Sequence, residues 1–389
     1  MKVAIIGGGP SGLYLALLLR RKRPGWPVHV IEQNAPDATF GFGVVMADTG
    51  LLQLRDADEA SYEAISAAMR YNYTQTIVHR ETPIEVVRNV KGGAIERLSL
   101  LRILQGLCDD AGVDVLYGER IAGVADLQRL GLSDAEVVVG ADGVNSVLRT
   151  EFAREFGTTQ RFLRNRFAWY GTERVFETPA LVFRKQGAGH YVAHYYPYSD
   201  TMSTFVAETD GDTWDREGLG SRSDEERRQF FEALYAPELK GMTLISNKSV
   251  WRQFPVIRNA HWHHGRHVLI GDALASAHFS IGSGTRIAMT DSIALAKALL
   301  ECEGDVQAGL AAYEEAHRPQ KRKLIEASEK SFNWYENLGE WMERYSSEEF
   351  VYQFMTRTGR VDDKRLRQDF PALMERLDGR RGTDGLRAC

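Results

Sequence analysis

The segment Val268-Leu-Ile-Gly-Asp-Ala-Leu-Ala-Ser-Ala-His-Phe-Ser-Ile-Gly-Ser-Gly-Thr285 sets its parts in an order that few folds require. An apolar run, Val268 to Ile270, ends in Gly271-Asp272. Gly282 and Gly284 then open a segment in which Ile287, Ala288, Ile293, Ala294, Ala298 and Leu299 recur at helical spacing. A strand, an acidic turn, a glycine pair and a helix suit a ligand with a polyol chain and a flat ring. Asp272 can hold hydroxyls, the glycines let backbone approach a ring, and a helix N-terminus offers free N–H groups to negative charge.

Two partners for this segment lie upstream. Lys2 to Ile6 is a β-branched run leading into Gly7-Gly-Gly-Pro-Ser-Gly12, followed by a helical pattern through Leu19 and a second strand, Val28 to Ile31, ending at Glu32. Gly7 permits a tight turn, Gly9 the approach of a pyrophosphate, Gly12 close helix packing, and Glu32 can bind ribose hydroxyls, as in a dinucleotide fold. The other partner is the strand Glu136 to Val139 with Gly140-Ala-Asp-Gly-Val-Asn-Ser-Val-Leu-Arg149, which supplies an acceptor, a flexible turn, a hydroxyl and a cation. Between them Arg97 opens a helix with Leu100, Leu101, Leu104 and Leu107 on its buried side, where it can reach a phosphate or form an ion pair.

At 389 residues the chain predicts two lobes, and 43% hydrophobic with 26% charged residues is a globular balance. A net charge of −5 leaves no electrostatic footprint for nucleic acid. Cys108, Cys302 and Cys389 are few, odd in number and far apart, which fits a reducing cytoplasm better than disulfides or zinc. The glycines at 7 to 12 break the one apolar run that resembles a membrane span. His261-Trp-His-His-Gly-Arg-His267 reads as a solvated loop rather than a metal site, and no metal is expected.

The remaining chain separates by pattern. Phe40-Gly-Phe-Gly-Val-Val45 suits a loop beside a flat ligand or plain core packing. Thr76 to Val87 reads as a two-stranded ribbon turning near Glu81 to Pro83. From Phe167 to Phe254, aromatic-rich alternating runs read as an antiparallel sheet with one face toward a cavity, with a charged helix from about Asp224 to Tyr235 packed on it. Trp169, Tyr196, Tyr198 and Phe279 are the candidate contacts of a planar substrate. Beyond Glu303 the chain is helical and charged, with Trp334, Tyr335, Trp341 and Tyr345 available for docking. The expected fold class is α/β (α+β): a discontinuous Rossmann-like domain (1–74, 92–160 and 258–304), an inserted β-sheet domain (75–91 and 161–257) and a helical region (305–389).

Taken together, Gly7 to Gly12, Asp142-Gly143 to Arg149 and Gly271-Asp272 resemble, in order and spacing, the single-component FAD-dependent aromatic hydroxylases (the para-hydroxybenzoate hydroxylase-like superfamily). The resemblance covers nearly the whole chain. It implies that Gly7, Gly9, Gly12, Glu32, Arg97, Asp142, Arg149 and Asp272 serve FAD, with Gln33 beside them and the Asp-Gly turn also serving NAD(P)H. The usual Gly-Asp-Ala-Ala-His is here Gly271-Asp-Ala-Leu-Ala275. His278-Phe-Ser-Ile-Gly-Ser-Gly284, Gly41-Phe-Gly-Val-Val45 and Thr356-Arg-Thr-Gly-Arg360 are similar instead to a branch holding salicylyl-CoA 5-hydroxylase and the monooxygenase half of 2-aminobenzoyl-CoA monooxygenase/reductase. Trp169-Tyr-Gly-Thr172 and Tyr198 to Phe205 look closer still to the violacein-pathway indole hydroxylase.

The resemblance implies hydroxylation of an aromatic ring by NAD(P)H and O2 through a flavin C4a-hydroperoxide, on an aryl thioester (CoA or carrier-bound) or an indole-derived intermediate. Gly282, Gly284 and Thr285 would present N–H groups to the flavin edge, and His278 and His194 are the candidates for engaging the substrate's activating group. Besides the small aromatic substrate, a carrier protein and a homodimer are open as partners; nucleic acid and membrane are not expected. Competing readings are a reductase of the same fold and a non-catalytic nucleotide-binding protein. A simple dehydrogenase leaves the Asp142 and Asp272 segments unexplained, a halogenase lacks its Trp motif, and Gly282-Ser-Gly284 lacks a hydrolase's nucleophile spacing.

Overall fold

The computed structural model describes residues 1–38, 41–282 and 284–385, so Phe40 and Ser283 of the glycine-rich segments lie outside the described residues. A six-stranded sheet runs in the spatial order His263–His264, His267–Leu269, Val137–Gly140, Val3–Ile6, Val28–Glu32, Asp114–Tyr117. Five of these strands are mutually parallel, with Val3 opposite Val28 on one side and Val137 on the other. Val3–Ile6 and Val137–Gly140 are buried at every position, because helices and loops cover both faces of such a sheet. The crossover helix Pro10–Lys22 starts with Pro at its first turn, buries Pro10 to Leu19 and ends on Arg20, Arg21 and Lys22, where positive charge suits the helix C-terminus.

A second sheet has eight strands in the order Arg252–Asn259, Thr158–Thr172, Ser203–Thr209, Gly189–Pro197, Ala180–Gln186, Arg70–His79, Thr82–Glu96, Gly43–Ala47. It is antiparallel apart from one junction: Arg70–His79 runs parallel to Ala180–Gln186. The expected ribbon is the hairpin Arg70–His79/Thr82–Glu96, and its turn falls on Arg80 and Glu81, both at positive φ. Alternation divides the central strands: Tyr191, Ala193, Tyr195, Phe205 and Ala207 join a core with Phe231 and Tyr235. The charged helix on that side is Asp224–Leu234, closed by a Ser223/Glu226 capping box.

Five helices follow from Val306 to Gly385. The first, Val306–Glu336, contributes Leu310 and Tyr313 to the core of the six-stranded sheet and Trp334 and Tyr335 to a core against the other face of the larger sheet. Trp334 and Tyr335 are therefore buried with Phe183, Phe350 and Phe354 rather than free for docking. His261 to His267 is not a plain loop either, since His263–His264 pairs antiparallel with His267–Leu269, His263 contacts Glu314 and His267 stacks on Phe152. Among the described residues no helix is long and apolar enough to cross a membrane.

Candidate flavin and substrate site

The two sheets meet at the C-terminal ends of the parallel strands, where the motifs collect. Gly7 has φ +109°, and a Cβ there would lie 2.5 Å from the Ala141 carbonyl oxygen. A Cβ on Gly12 would lie 2.0 Å from the Gly7 oxygen, so both positions admit glycine only. Gly9 caps the helix Pro10–Lys22 without a side-chain hydrogen bond, and a Cβ there would meet nothing within 4 Å. A helix N-terminus with room in front of Gly9 is suited to phosphate. Glu32 is oriented by the Gly8 N–H on Oε2 (2.8 Å) and the Asn34 N–H on Oε1 (2.8 Å). Gln33 is exposed beside it.

Arg97 begins the helix Arg97–Asp110 between Glu32 and Asp272; burial lowers its pKa, and those two carboxylates oppose the shift. Its Nε is buried without a hydrogen-bond partner, as is Oδ1 of Asp142. Asp142 caps its own turn through Val147 N–H (2.7 Å), and burial raises its pKa against the hydrogen bonds it accepts. Arg149 is buried and gives its guanidinium to the carbonyls of Gly143 (3.3 Å), Val144 (2.5 Å) and Ala273 (3.2 Å). It ties the Asp142 turn to the Gly271 turn.

Asp272 is exposed to solvent yet ringed by protein; burial of its surroundings raises its pKa, which Lys321 and Arg97 pull down and Asp291 raises further. Beneath it, the Gly271 N–H donates to Asp291 Oδ2 (2.8 Å), and Asp291 is held by Lys321 Nζ (2.6 Å) and His317 Nε2 (2.9 Å). Gly282, at φ +59°, ends the short turn Phe279–Ile281, and Gly284 and Thr285 form the first turn of the 18-residue helix Gly284–Glu301.

A cavity of about 280 Å³ adjoins this turn. Phe279 to Gly282 form one wall, the strand residues Val192, His194, Tyr196, Val206 and Glu208 a second, and Tyr335, Phe354 and Arg357 a third. His194 and Tyr196 stand on one strand with ring centroids 5.1 Å apart, and Tyr196 donates to the Gly43 carbonyl (2.8 Å). Trp169 and Tyr198 are outside the lining: Trp169 supports Phe279 edge-on at 5.3 Å, and Tyr198 packs on Gly43, where a Cβ would lie 2.7 Å from its ring.

His278 is also outside the lining. It is 2% exposed, packs against Phe254 and Phe279, and its Nδ1 accepts the Ser280 N–H (3.2 Å) as a cap. Burial and the nearby Arg357 hold its pKa down to about 3, so it is a neutral packing residue behind the wall.

A profile of the family described as FAD binding domain matches residues 118–328. Salicyloyl-CoA 5-hydroxylase of a Streptomyces species is 37% identical over 97% of this chain and 74% of its own length. Protodeoxyviolaceinate monooxygenase of Chromobacterium violaceum is 34% identical (92% and 94% covered), and the 3-hydroxy-4-methyl-anthranilyl-[aryl-carrier protein] 5-monooxygenase of Streptosporangium sibiricum 32% (87% and 90%). The chain belongs to this family. It is a flavin-dependent aromatic hydroxylase with FAD as its cofactor and NAD(P)H as co-substrate, and the reductase and non-catalytic readings are not favoured. The fold agrees with tetrameric 2-methyl-3-hydroxypyridine-5-carboxylic acid oxygenase, at TM-score 0.71 and 18% identity over 88% of this chain and 96% of that one.

The residues of this hydroxylase fit FAD. Gly7 and Gly12 close the first turn, position 9 is open, and Arg97 Nε and Asp142 Oδ1 are buried polar atoms lacking a partner that a charged, hydroxyl-bearing ligand would supply. The sequence reading missed Glu208 and the clamp under Gly271. Glu208 carried a signal in retrospect, an acid at a cavity-facing position of the alternating run Phe205-Val-Ala-Glu208. Arg184, on the substrate sheet, is committed to Glu81 and Glu238 and lies over the Tyr235 ring.

Proposed function

We propose that this hydroxylase acts on an aromatic ring carried by an aryl thioester, bound to CoA or to a carrier protein, with an indole-derived intermediate as the second reading. The cavity carries the proposal: its apolar walls adjoin the Phe279–Gly282 turn and the helix N-terminus at Gly284, so a planar ring is held next to the flavin site. The named relatives act on a CoA thioester, a carrier-bound anthranilyl group and protodeoxyviolaceinate, which favours the thioester and keeps the indole reading.

Gly7, Gly9, Gly12 and Glu32 with Gln33 would hold the ADP part of FAD, and Arg97, Asp142 and Asp272 its pyrophosphate and ribityl chain. Arg149 positions the two turns, and Gly282, Gly284 and Thr285 present backbone N–H groups where negative charge develops. Bound FAD, reduced by NAD(P)H, supplies the oxygen-transfer chemistry. The protein orients the ring between Phe279 and the His194/Tyr196 strand and excludes water by the apolar walls. Trp169 and Tyr198 act on the substrate through Phe279 and Gly43. The test is anaerobic flavin reduction by NADH and by NADPH, alone and with salicyloyl-CoA or indole. The proposal expects at least tenfold acceleration by the thioester. Equal acceleration by indole alone moves the assignment to the second reading, and no acceleration by either contradicts both.

A further inference from the structure

Glu208 is the one carboxyl among the cavity-lining residues, and it is 2% exposed. It stands on Ser203–Thr209 opposite Val192 and Phe167, in the sheet that floors the cavity. Asn165 Nδ2 donates to its Oε1 (3.0 Å) and to the Tyr335 carbonyl (2.9 Å), while the Asn165 backbone N–H is fixed by Glu336 Oε1 (2.9 Å). Oδ1 of Asn165 is buried with no hydrogen-bond partner, so the pair carries unused acceptor capacity. The charges that raise the Glu208 pKa beyond the effect of burial are Glu336 and Asp210, both acidic; Tyr335, His194 and Arg357 share the cavity. A carboxyl kept in an apolar wall, oriented by a fixed amide, is costly to fold around and does nothing for packing. The rest of the lining is mainly glycine, aromatic and aliphatic, with Asn72, Thr74, Gln75, His194, Ser280, Arg357 and Thr358 as its polar members and no second carboxyl.

We propose that Glu208 is a catalytic residue that engages an O–H or N–H substituent on the aromatic ring, so that the site selects rings carrying such a donor. This rests on the aromatic-hydroxylase reading above. In its ionised form the carboxylate takes the substituent's proton: the O–H bond breaks, the proton passes to a Glu208 oxygen, and the electron pair stays on the ring oxygen. Nothing is oxidised or reduced in that step. The ring is left more electron-rich at the carbons conjugated to the substituent, which is what electrophilic oxygen transfer needs. Burial and neighbouring acids place the Glu208 pKa at about 8, near enough to a phenol's for efficient exchange.

The test compares salicyloyl-CoA with benzoyl-CoA, the same thioester without the ring hydroxyl, on the FAD-loaded protein and its Glu208→Gln variant. Dissociation constants are read by titration calorimetry, and the pH profile of hydroxylation is followed from pH 6 to 9. The proposal expects a preference of tenfold or more for salicyloyl-CoA, falling below threefold in the variant with benzoyl-CoA affinity unchanged. It also expects a rise in rate through about pH 8 that the variant lacks. Should Glu208→Gln not fold, Asn165→Ala is read instead. Removing that hydrogen bond, which lowers the Glu208 pKa, must shift the limb to higher pH. A variant that keeps both the preference and the limb overturns the assignment while leaving the hydroxylase reading intact. If the wild-type protein binds neither thioester, indole and 1-methylindole replace them in the same comparison. Binding of none of the four overturns the aromatic-substrate reading and the Glu208 assignment together.

Discussion

A methyl group at position 12 would lie 2.0 Å from the Gly7 oxygen, whereas one at position 9 would meet nothing. The two substitutions therefore separate folding from ligand binding. Gly12→Ala must push the first helix off its strand and is expected to lower the melting temperature of flavin-free protein by several degrees. Gly9→Ala, at φ −74°, leaves that temperature unchanged but weakens FAD at least tenfold, read by flavin fluorescence. Glu208 gives a second prediction. Its pKa is raised from 4.5 to about 8, so the unfolded chain ionises first and stability falls as pH climbs from 4.5 to 8. The cost is on the order of 5 kcal/mol at about 1.4 kcal/mol per pH unit. Urea midpoints should show Glu208→Gln close to wild type at pH 4.5 and clearly more stable at pH 8. The tight turn at Gly7 and the close packing at Gly12 were legible in the sequence because they are set by chain neighbours. The placement of His278 was not, because which face of a wall a side chain occupies is fixed by strands and helices far away in the chain.

The helix Gly284–Glu301 shows how an element serves two sites. Its first turn follows the cavity-lining Gly282, and one buried residue in its middle, Asp291, accepts the Gly271 N–H and is itself held by Lys321 and His317. The Lys321 cation, with the hydrogen bonds from Lys321 and His317, holds the Asp291 carboxyl below its usual range against burial. A lowered pKa means stability present above the ordinary carboxylate range and lost as pH falls through the folded value, below 3.8. Asp291→Ala leaves Lys321 buried without its partner and is expected to cost about 3–5 kcal/mol by urea unfolding at pH 7. It should also loosen the Asp272 turn and raise the FAD dissociation constant. The helix itself was readable from its 3.6-residue periodicity. Its anchor was not, since Lys321 is 30 residues further on, in a charged helical stretch with no local mark of a buried ion pair.

Across the whole molecule, Val306–Glu336 carries the connection between the two sheets. Its early turns sit in the cofactor core through Leu310 and Tyr313, and its end places Tyr335 in the cavity wall beside buried Trp334. Trp334→Ala removes a ring packed against Phe183, Phe350 and Phe354 and is expected to cost about 3–5 kcal/mol. Substrate-stimulated flavin reduction should then fall more than FAD affinity, because the cavity wall shifts and the nucleotide turn does not. The two sheets and their approximate strands were visible in alternation and in the glycine turns. The parallel junction of Arg70–His79 with Ala180–Gln186 was not, because pairing between distant strands leaves no local pattern.

The most direct measurement supplies salicyloyl-CoA, NAD(P)H and isotope-labelled dioxygen to the FAD-loaded protein and weighs the product. Oxygen transfer to the ring predicts one labelled atom gained per NAD(P)H consumed at full coupling. NAD(P)H consumption that ends only in hydrogen peroxide, with the ring unchanged for thioester and indole alike, would contradict it.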